Sequence, residues 1–177
     1  MKEMARYGIT LSLICVVASA SLAVTNSVTG KRIAAQLKLE EEAGLKEVFP
    51  EADSFEPVKQ EDELLYYKAI SKDKKIIGAA FKVTKKGYSS PIEAIVGMAK
   101  DGTIKAVKIL SQNETPGLGS RVSEPSFLSQ FTNKDTADLN QVQAITGATI
   151  SSKAVIDAVT EKAQIIKDLI IDAPKKR

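Results

Sequence analysis

The chain contains no histidine and a single cysteine, Cys15. Without histidine there is no Ser-His-Asp triad, no Cys-His dyad and no His-ligated haem, and a typical zinc site is ruled out as well. One cysteine can neither close an internal disulfide nor hold an iron–sulfur cluster. Any redox chemistry must therefore come from an organic cofactor or from a metal held by carboxylates. Aromatic residues are scarce at 5%, and the net charge is only +3 with Lys and Glu interspersed. A nucleic-acid surface needs a basic patch with rings to stack on bases, and neither is present. Internal repeats and low-complexity segments are also lacking. The basic end, Pro174-Lys175-Lys176-Arg177, reads as a solvated tail.

What is present begins with an apolar N-terminus. Gly8 to Val24 is uncharged and mostly apolar, and it extends to Val28 through Thr25, Asn26 and Ser27. That length suits a spanning helix, which needs about 20 residues. Lys2 and Arg6 precede the run and Lys31 and Arg32 follow it, so flanking charge does not decide orientation. The short leading flank and the large following domain favour an N-in anchor with the domain outside the cytoplasm. Ala18-Ser19-Ala20 also matches a small-x-small cleavage pattern. The anchor is the preferred reading, because the apolar run continues past that point with Leu22, Ala23 and Val24. Cys15 falls within the span and is expected only to pack.

The remainder, roughly 150 residues, suffices for one domain with a real core. Arg32 to Val48 is rich in Ala, Leu, Glu and Lys and fits a helix loosely. Gly44 weakens its interior and Phe49-Pro50 stops it. Glu51 to Gln60 is polar and acidic and predicts a loop. Leu64–Ser71 and Lys75–Val83 predict strands around the turn Lys72-Asp73-Lys74. Ile77, Ala79, Phe81 and Val83 alternate as a half-buried strand should. After the turn Lys86-Gly87-Tyr88, Ile92, Ala94, Val96 and Met98 alternate again. Asp101-Gly102 signals a hairpin into Thr103–Leu110. Short turns between successive strands imply an antiparallel meander. Ser111 to Ser120 predicts a loop, and Pro125 to Phe131 a short helix with Phe127, Leu128 and Phe131 turned inward. Ser152 to Ile171 is the clearest helix, with Val155, Val159, Ile166 and Ile170 on one stripe, Ala158, Ala163 and Leu169 around it, and Pro174 at its end. Ser151 or Ser152 would be its N-cap. The expected architecture is α+β, with an N-terminal transmembrane helix followed by one domain of antiparallel sheet and packed helices. The expected divisions are an anchor over 1–28, a helical linker and loop over 29–60, and the domain over 61–177.

Two loops could carry chemistry. Thr146-Gly147-Ala148-Thr149 puts hydroxyls among residues too small to shield them, just before the long helix. A helix N-terminus offers free N–H groups and partial positive charge to a phosphate-linked group. The plain alternative is a helix cap. The other loop is Glu114-Thr115-Pro116-Gly117-Leu118-Gly119. Pro116-Gly117 suits a type II turn with Gly at positive φ, and Gly119 adds a second bare backbone position. Such a loop can bring N–H groups close to a flat ligand, or it can be a tight turn and nothing more.

In this order and spacing, the two segments resemble the flavin-binding domain of the G subunit of Rnf-type electron transport complexes. They are similar also to the C subunit of the sodium-translocating NADH:quinone reductase. The resemblance takes in the N-terminal anchor, Leu45–Pro50, Lys86-Gly87-Tyr88 with Pro91-Ile92, Gly97 and Asp101-Gly102. The chain's compactness matches the Rnf-type family better. Gln143 stands where the family often has Asp, and Gln112 where it often has His. The resemblance implies FMN joined through its phosphate to a Thr hydroxyl, with Thr149 as the acceptor. Thr146, Gly147 and Ala148 would surround the phosphate. Glu114, Thr115, Gly117, Leu118 and Gly119 would face the isoalloxazine, with backbone donors stabilising charge on the reduced ring and Leu118 covering part of a face. It implies an electron carrier within an ion-translocating complex, not a catalyst alone, with no catalytic acid or base and no metal. Implied partners are the other membrane subunits, a flavin transferase that attaches the FMN, and the membrane itself. The implied location is the inner membrane, single-pass, with the C-terminal domain extracytoplasmic. A stand-alone anchored flavoprotein and a non-redox anchored binding domain are the alternatives.

Overall fold

The computed structural model describes residues 2–60 and 63–171. The basic tail and Pro174 lie outside the described residues. The chain forms two compact units, Met1–Glu40 and Glu41–Arg177.

The first unit belongs to a single helix, α1 (Lys2–Val48), that continues into the second unit. From Glu3 to Glu40 the described side chains are exposed, including Ile9, Leu11, Leu13, Ile14, Val16, Val17, Leu22 and Val24. Thr10, Ser21 and Thr25 turn their hydroxyls back to the carbonyls of Arg6, Val17 and Ser21, which hides their polarity. The mean hydropathy of its apolar window is 2.0, long and apolar enough to cross a membrane. Cys15 is exposed on this helix.

The second unit is built on a five-stranded antiparallel meander in the order β1-β2-β3-β4-β5: β1 (Ser54–Gln60), β2 (Glu63–Ile70), β3 (Ile76–Lys86), β4 (Pro91–Ala99) and β5 (Ile104–Ser111). Each expected hairpin turn forms. Lys74 N–H bonds Ser71 O, Gly87 N–H bonds Ser90 O, and Ala99 N–H bonds Thr103 O around Gly102 at φ +90°. The polar stretch expected to be a loop contains β1, which pairs with β2 along its whole length. It is an edge strand, where Pro57 and charged side chains are tolerated because one side makes no ladder.

One sheet face packs against α3 (Thr149–Ile171), the short helix α2 (Pro125–Leu128) and 3-10 turns over Gly119–Ser123, Ser129–Phe131 and Thr136–Gln141. Phe81, Val96, Met98, Ile104, Phe127, Phe131, Val159 and Ile166 fill that core. Phe127 and Phe131 meet edge to face, with ring centroids 5.5 Å apart. Helix α3 buries Val155, Ala158, Val159, Ala163 and Ile166 as expected, whereas Leu169 is partly open to solvent. The other sheet face receives the end of α1, where Leu45, Val48 and Phe49 pack on Ala69, Ala80 and Ile95. Gly44 is where this close approach happens, since a methyl group there would lie 2.7 Å from Leu110 Cδ2. The glycine read as a weak point of the helix is thus a point of contact. This unit therefore begins at Glu41 and takes in β1 and the last turns of α1, which the sequence division placed in a linker.

Two bulges change which residues face which core. Ala69 pairs with Gly78 and Ile70 with Ile76, leaving Ile77 as the extra residue. Ile77 consequently joins the α1-side cluster instead of following Ala79, Phe81 and Val83. Gly97 pairs with Ala106 and Met98 with Ile104, so the alternation of β5 shifts phase at Lys105.

Candidate functional site

Helix α3 starts three residues earlier than its apolar stripe suggests, at Thr149. Ser152 N–H bonds Ala148 O, the first intrahelical bond, so Ala148 occupies the N-cap position. Ser151 and Ser152 are not caps but buried members of the first turn. Ser152 Oγ accepts from Ile145 N–H at 3.0 Å and donates to Ala148 O at 2.9 Å, stapling the preceding turn to the helix. That turn closes through Ala148 N–H to Ile145 O, with Gly147 at φ +82°, as the third position of a type II turn requires.

An alanine N-cap leaves the helix end open. The N–H groups of Thr149, Ile150 and Ser151 have no acceptor among the described residues. A Ser, Asp or Asn cap would contribute about 1 kcal/mol here. Its absence leaves three donors and the positive end of the dipole free for an external anion, with Thr149 exposed beside them.

The Glu114–Gly119 loop faces this helix end. Leu118 N–H bonds Thr115 O across Pro116 and Gly117, the latter at φ +73°, the expected type II geometry. Gly117 N–H is taken by Ser120 Oγ at 3.0 Å. The donors of Gly117 and Leu118 are therefore spent within the turn, contrary to the expectation that they face a flat ligand. Leu118 reaches across to the other loop, since a methyl group on Gly147 would lie 3.5 Å from its Cδ2.

Between the loops lies a cavity of about 570 Å³, lined by Glu114, Thr115, Leu118, Gly119, Gly147, Ala148 and Thr149, with Tyr88, Ile150 and Ser151. The first seven are expected site residues. Two others stay outside. Gly117 sits at the turn tip, and Thr146 lines a separate cavity of about 240 Å³ with Arg121, Gln130 and Gln143. The Gln143 backbone is clamped by the Gln130 amide, which accepts from Gln143 N–H and donates to its carbonyl. Gln112 Oε1 accepts from Glu114 N–H at 2.8 Å, fixing the start of the loop.

Tyr88, Ile150 and Ser151 were missed as site residues. Tyr88 is 67%, Ile150 56% and Leu118 49% exposed. Three large apolar side chains left open around one cavity are what an apolar ligand would cover. The sequence signal was available for two of them: Tyr88 is a large side chain in a turn, and Ile150 an apolar one that precedes the buried stripe of α3.

Glu114 is buried, 6% exposed. Its carboxylate points into the wall. Oε1 accepts from Ser89 and Ser90 N–H, and Oε2 from Tyr88 N–H and from the Ser151 hydroxyl at 2.6 Å. Burial pushes its pKa up. The hydrogen bonds from Ser151, Ser90, Ser89 and Tyr88 together outweigh burial and hold it below the usual carboxylate value.

The arrangement suits a flavin mononucleotide. The open helix end matches the phosphate, the exposed apolar rim matches a flat ring, and the volume lies in the range of cofactor sites. The chain is thus an apolar N-terminal helix followed in sequence by a domain with an open, apolar-rimmed cavity, the class of a cofactor-binding domain with an anchor-like leader. The FMN-binding domain family matches residues 87–164, spanning the cavity-lining residues, and the RnfG N-terminal region family matches residues 1–48. The G subunit of the ion-translocating oxidoreductase complex of Methanosarcina acetivorans is 35% identical over 176 residues, covering 89% of this chain and 92% of that protein. The G subunit of the Na(+)-translocating ferredoxin:NAD(+) oxidoreductase complex of Acetobacterium woodii is 31% identical, covering 95% and 94%. The chain belongs to the family of G subunits of ion-translocating oxidoreductase complexes. Among solved structures, the C subunit of the Na(+)-translocating NADH-quinone reductase from Parabacteroides distasonis is 22% identical, with TM-score 0.49 over 59% of this chain and 61% of that one.

Proposed function

We propose that this chain is a membrane-anchored electron carrier of an ion-translocating oxidoreductase complex, with FMN joined through its phosphate to the Thr149 hydroxyl. The observation that carries the site assignment is the open first turn of α3: an exposed Thr149 beside three unpaired N–H groups, on the wall of the cavity. When bound, the flavin supplies the redox chemistry. The chain's residues do the rest. The N–H groups of Thr149 to Ser151 and the helix dipole hold the anionic phosphodiester, favoured by about 0.3–1 kcal/mol. Tyr88, Leu118 and Ile150 present apolar surface to the ring. The backbone of Gly147 and Ala148 leaves room at the tether. Electron relay needs no proton donor here, which accords with a chain that lacks histidine.

The apolar N-terminal segment over residues 1–28 is the membrane anchor, single-pass, with the flavin domain outside the cytoplasm. A covalent link there removes any dependence on free FMN. A flavin transferase makes the phosphoester from a flavin dinucleotide: the Thr149 oxygen bonds to the flavin-side phosphorus, the pyrophosphate P–O bond breaks, and a nucleoside monophosphate leaves with the hydroxyl proton released. Other membrane subunits pass electrons to and from the bound flavin. The experiment is production of the full chain with a flavin transferase and its native neighbours, extraction in mild detergent, and purification through this chain. Yellow protein retaining flavin after acid precipitation, together with co-purifying membrane subunits, is the expected result. A carrier that purifies alone and relays electrons without partners would move the function to a stand-alone flavoprotein. Colourless protein would defeat the flavin reading.

A further inference from the structure

The cavity walls come from three separate segments: the Gly87–Ser90 hairpin turn with Tyr88, the Thr115–Gly119 loop with Leu118, and the first turn of α3 with Thr149. The Glu114 carboxylate touches all three. It collects the N–H groups of Tyr88, Ser89 and Ser90, belongs itself to the second segment, and takes the Ser151 hydroxyl of the third. Two glycines make room for it. A methyl group on Gly87 would lie 2.6 Å from Glu114 Oε1, and one on Gly119 would lie 2.7 Å from Oε2 and 2.8 Å from Ser151 Oγ.

A phosphoester at Thr149 fixes only one end of FMN, and the ribityl chain leaves the ring free to swing. The ring's orientation must come from the walls, and the walls are coupled through one buried carboxylate. We propose that Glu114 is a positioning residue for the flavin, locking Tyr88, Leu118 and the Thr149 turn into one frame that sets the ring's orientation after attachment. This role rests on the FMN reading above. Both oxygens are required, because each accepts two hydrogen bonds. A glutamine has one acceptor oxygen, and its amide N–H groups would face the donors on the other side. An aspartate is one methylene short of the turn. The carboxylate is held in its charged form by the same four hydrogen bonds.

The test uses the full chain made with a flavin transferase, comparing wild type with Glu114→Gln, Ser151→Ala and Lys167→Met. Lys167 binds Asp135 and Thr136 away from the cavity, so its variant reports general destabilisation. Covalent flavin is read on a denaturing gel. Ring order is read from visible circular dichroism and flavin fluorescence anisotropy in the native protein, per bound flavin. The Glu114 and Ser151 variants are expected to keep covalent flavin but lose the visible dichroism and show lowered anisotropy. Lys167→Met is expected to melt earlier with both signals intact. Should Glu114→Gln fail to fold, Gly87→Ala, which displaces the same carboxylate, replaces it with the same expectation. Flavinylated Glu114 or Gly87 variants with wild-type dichroism and anisotropy would overturn the role. So would loss of attachment in Ser151→Ala, which would make the contact part of transferase recognition. Wild-type chain without flavin would overturn the FMN reading itself, and this role with it.

Discussion

Replacing Gly97 with Ala tests how the end of α1 is seated on the sheet. Gly97 lies in the interior strand β4, paired with Ala80 on one side and Ala106 on the other. A methyl group there would lie 2.8 Å from Val48 O, 3.0 Å from Val48 Cβ and 3.2 Å from Phe49 Cδ2. The nearest of these is a backbone carbonyl, which cannot rotate away. Either the strand distorts within its ladders or the Leu45–Phe49 segment lifts. Overpacking of this kind typically costs about 1–3 kcal/mol. Lifting would further expose parts of Leu45, Val48 and Phe49, each worth about 1.5–3 kcal/mol when fully buried. Since β4 is pinned on both sides, lifting is the softer response, and a net loss of about 2–3 kcal/mol follows. For a domain of this size that is a fall in melting temperature of about 6–12 °C. The assay is thermal unfolding of the detergent-solubilised chain followed by far-UV circular dichroism. Hydrogen exchange should show the new mobility at Leu45–Phe49. A melting temperature within a degree or two of wild type would refute the close seating of Phe49 on β4.

Gly117→Ala should behave differently, because its methyl group meets nothing within 4 Å but its φ is +73°; the cost is backbone strain of about 1–2 kcal/mol, read as a smaller melting shift. Acid should weaken the fold. Glu114 and Asp135 both titrate below their ordinary values of 4.5 and 3.8 in the folded chain, Glu114 through hydrogen bonds that outweigh burial, Asp135 mainly through Lys167. The unfolded chain therefore binds more protons over that range, and stability present above it is lost as pH falls through it. Urea midpoints measured across acidic pH should fall more gently in Glu114→Gln than in wild type. At the alkaline end, Tyr67 is pushed up to about 12 by burial and by its hydrogen bond to Glu41, with the charges of Glu41 and Glu42 adding to it. Its contribution is present below pH 10 and lost as pH rises toward 12. Tyr67→Phe should remove that loss, and spectroscopic titration should show one late-ionising tyrosine fewer.

Much of this architecture was readable because its determinants are local. Lys72–Lys74, Gly87-Tyr88 and Asp101-Gly102 make turns through their own backbone chemistry, and the alternation of Ile92, Ala94, Val96 and Met98 reports strand β4, although Ile95 and Gly97 between them are buried as well. What escaped depended on distant partners. Strand β1 is polar because it is an edge, and nothing within Ser54–Gln60 announces that β2 will pair with it. Ile77 changes face because of a bulge set by the β2–β3 register, which no pattern within β3 reveals. Ser151 and Ser152 look like caps by type, yet tertiary contacts with Glu114 and Ile145 draw both into the buried first turn. The two site loops were recognisable, but not their division of labour. Glu114 turns into the wall, the Gly117 tip and Thr146 fall outside the cavity, and Tyr88 enters from a turn 26 residues earlier than Glu114.

The most direct test of the account is in-gel flavin fluorescence under denaturing conditions, on the full chain made with a flavin transferase. Wild type and Ser151→Ala should give a fluorescent band, and Thr149→Ala should give none. A fluorescent Thr149→Ala band would contradict the assignment of the phosphoester to the open end of α3.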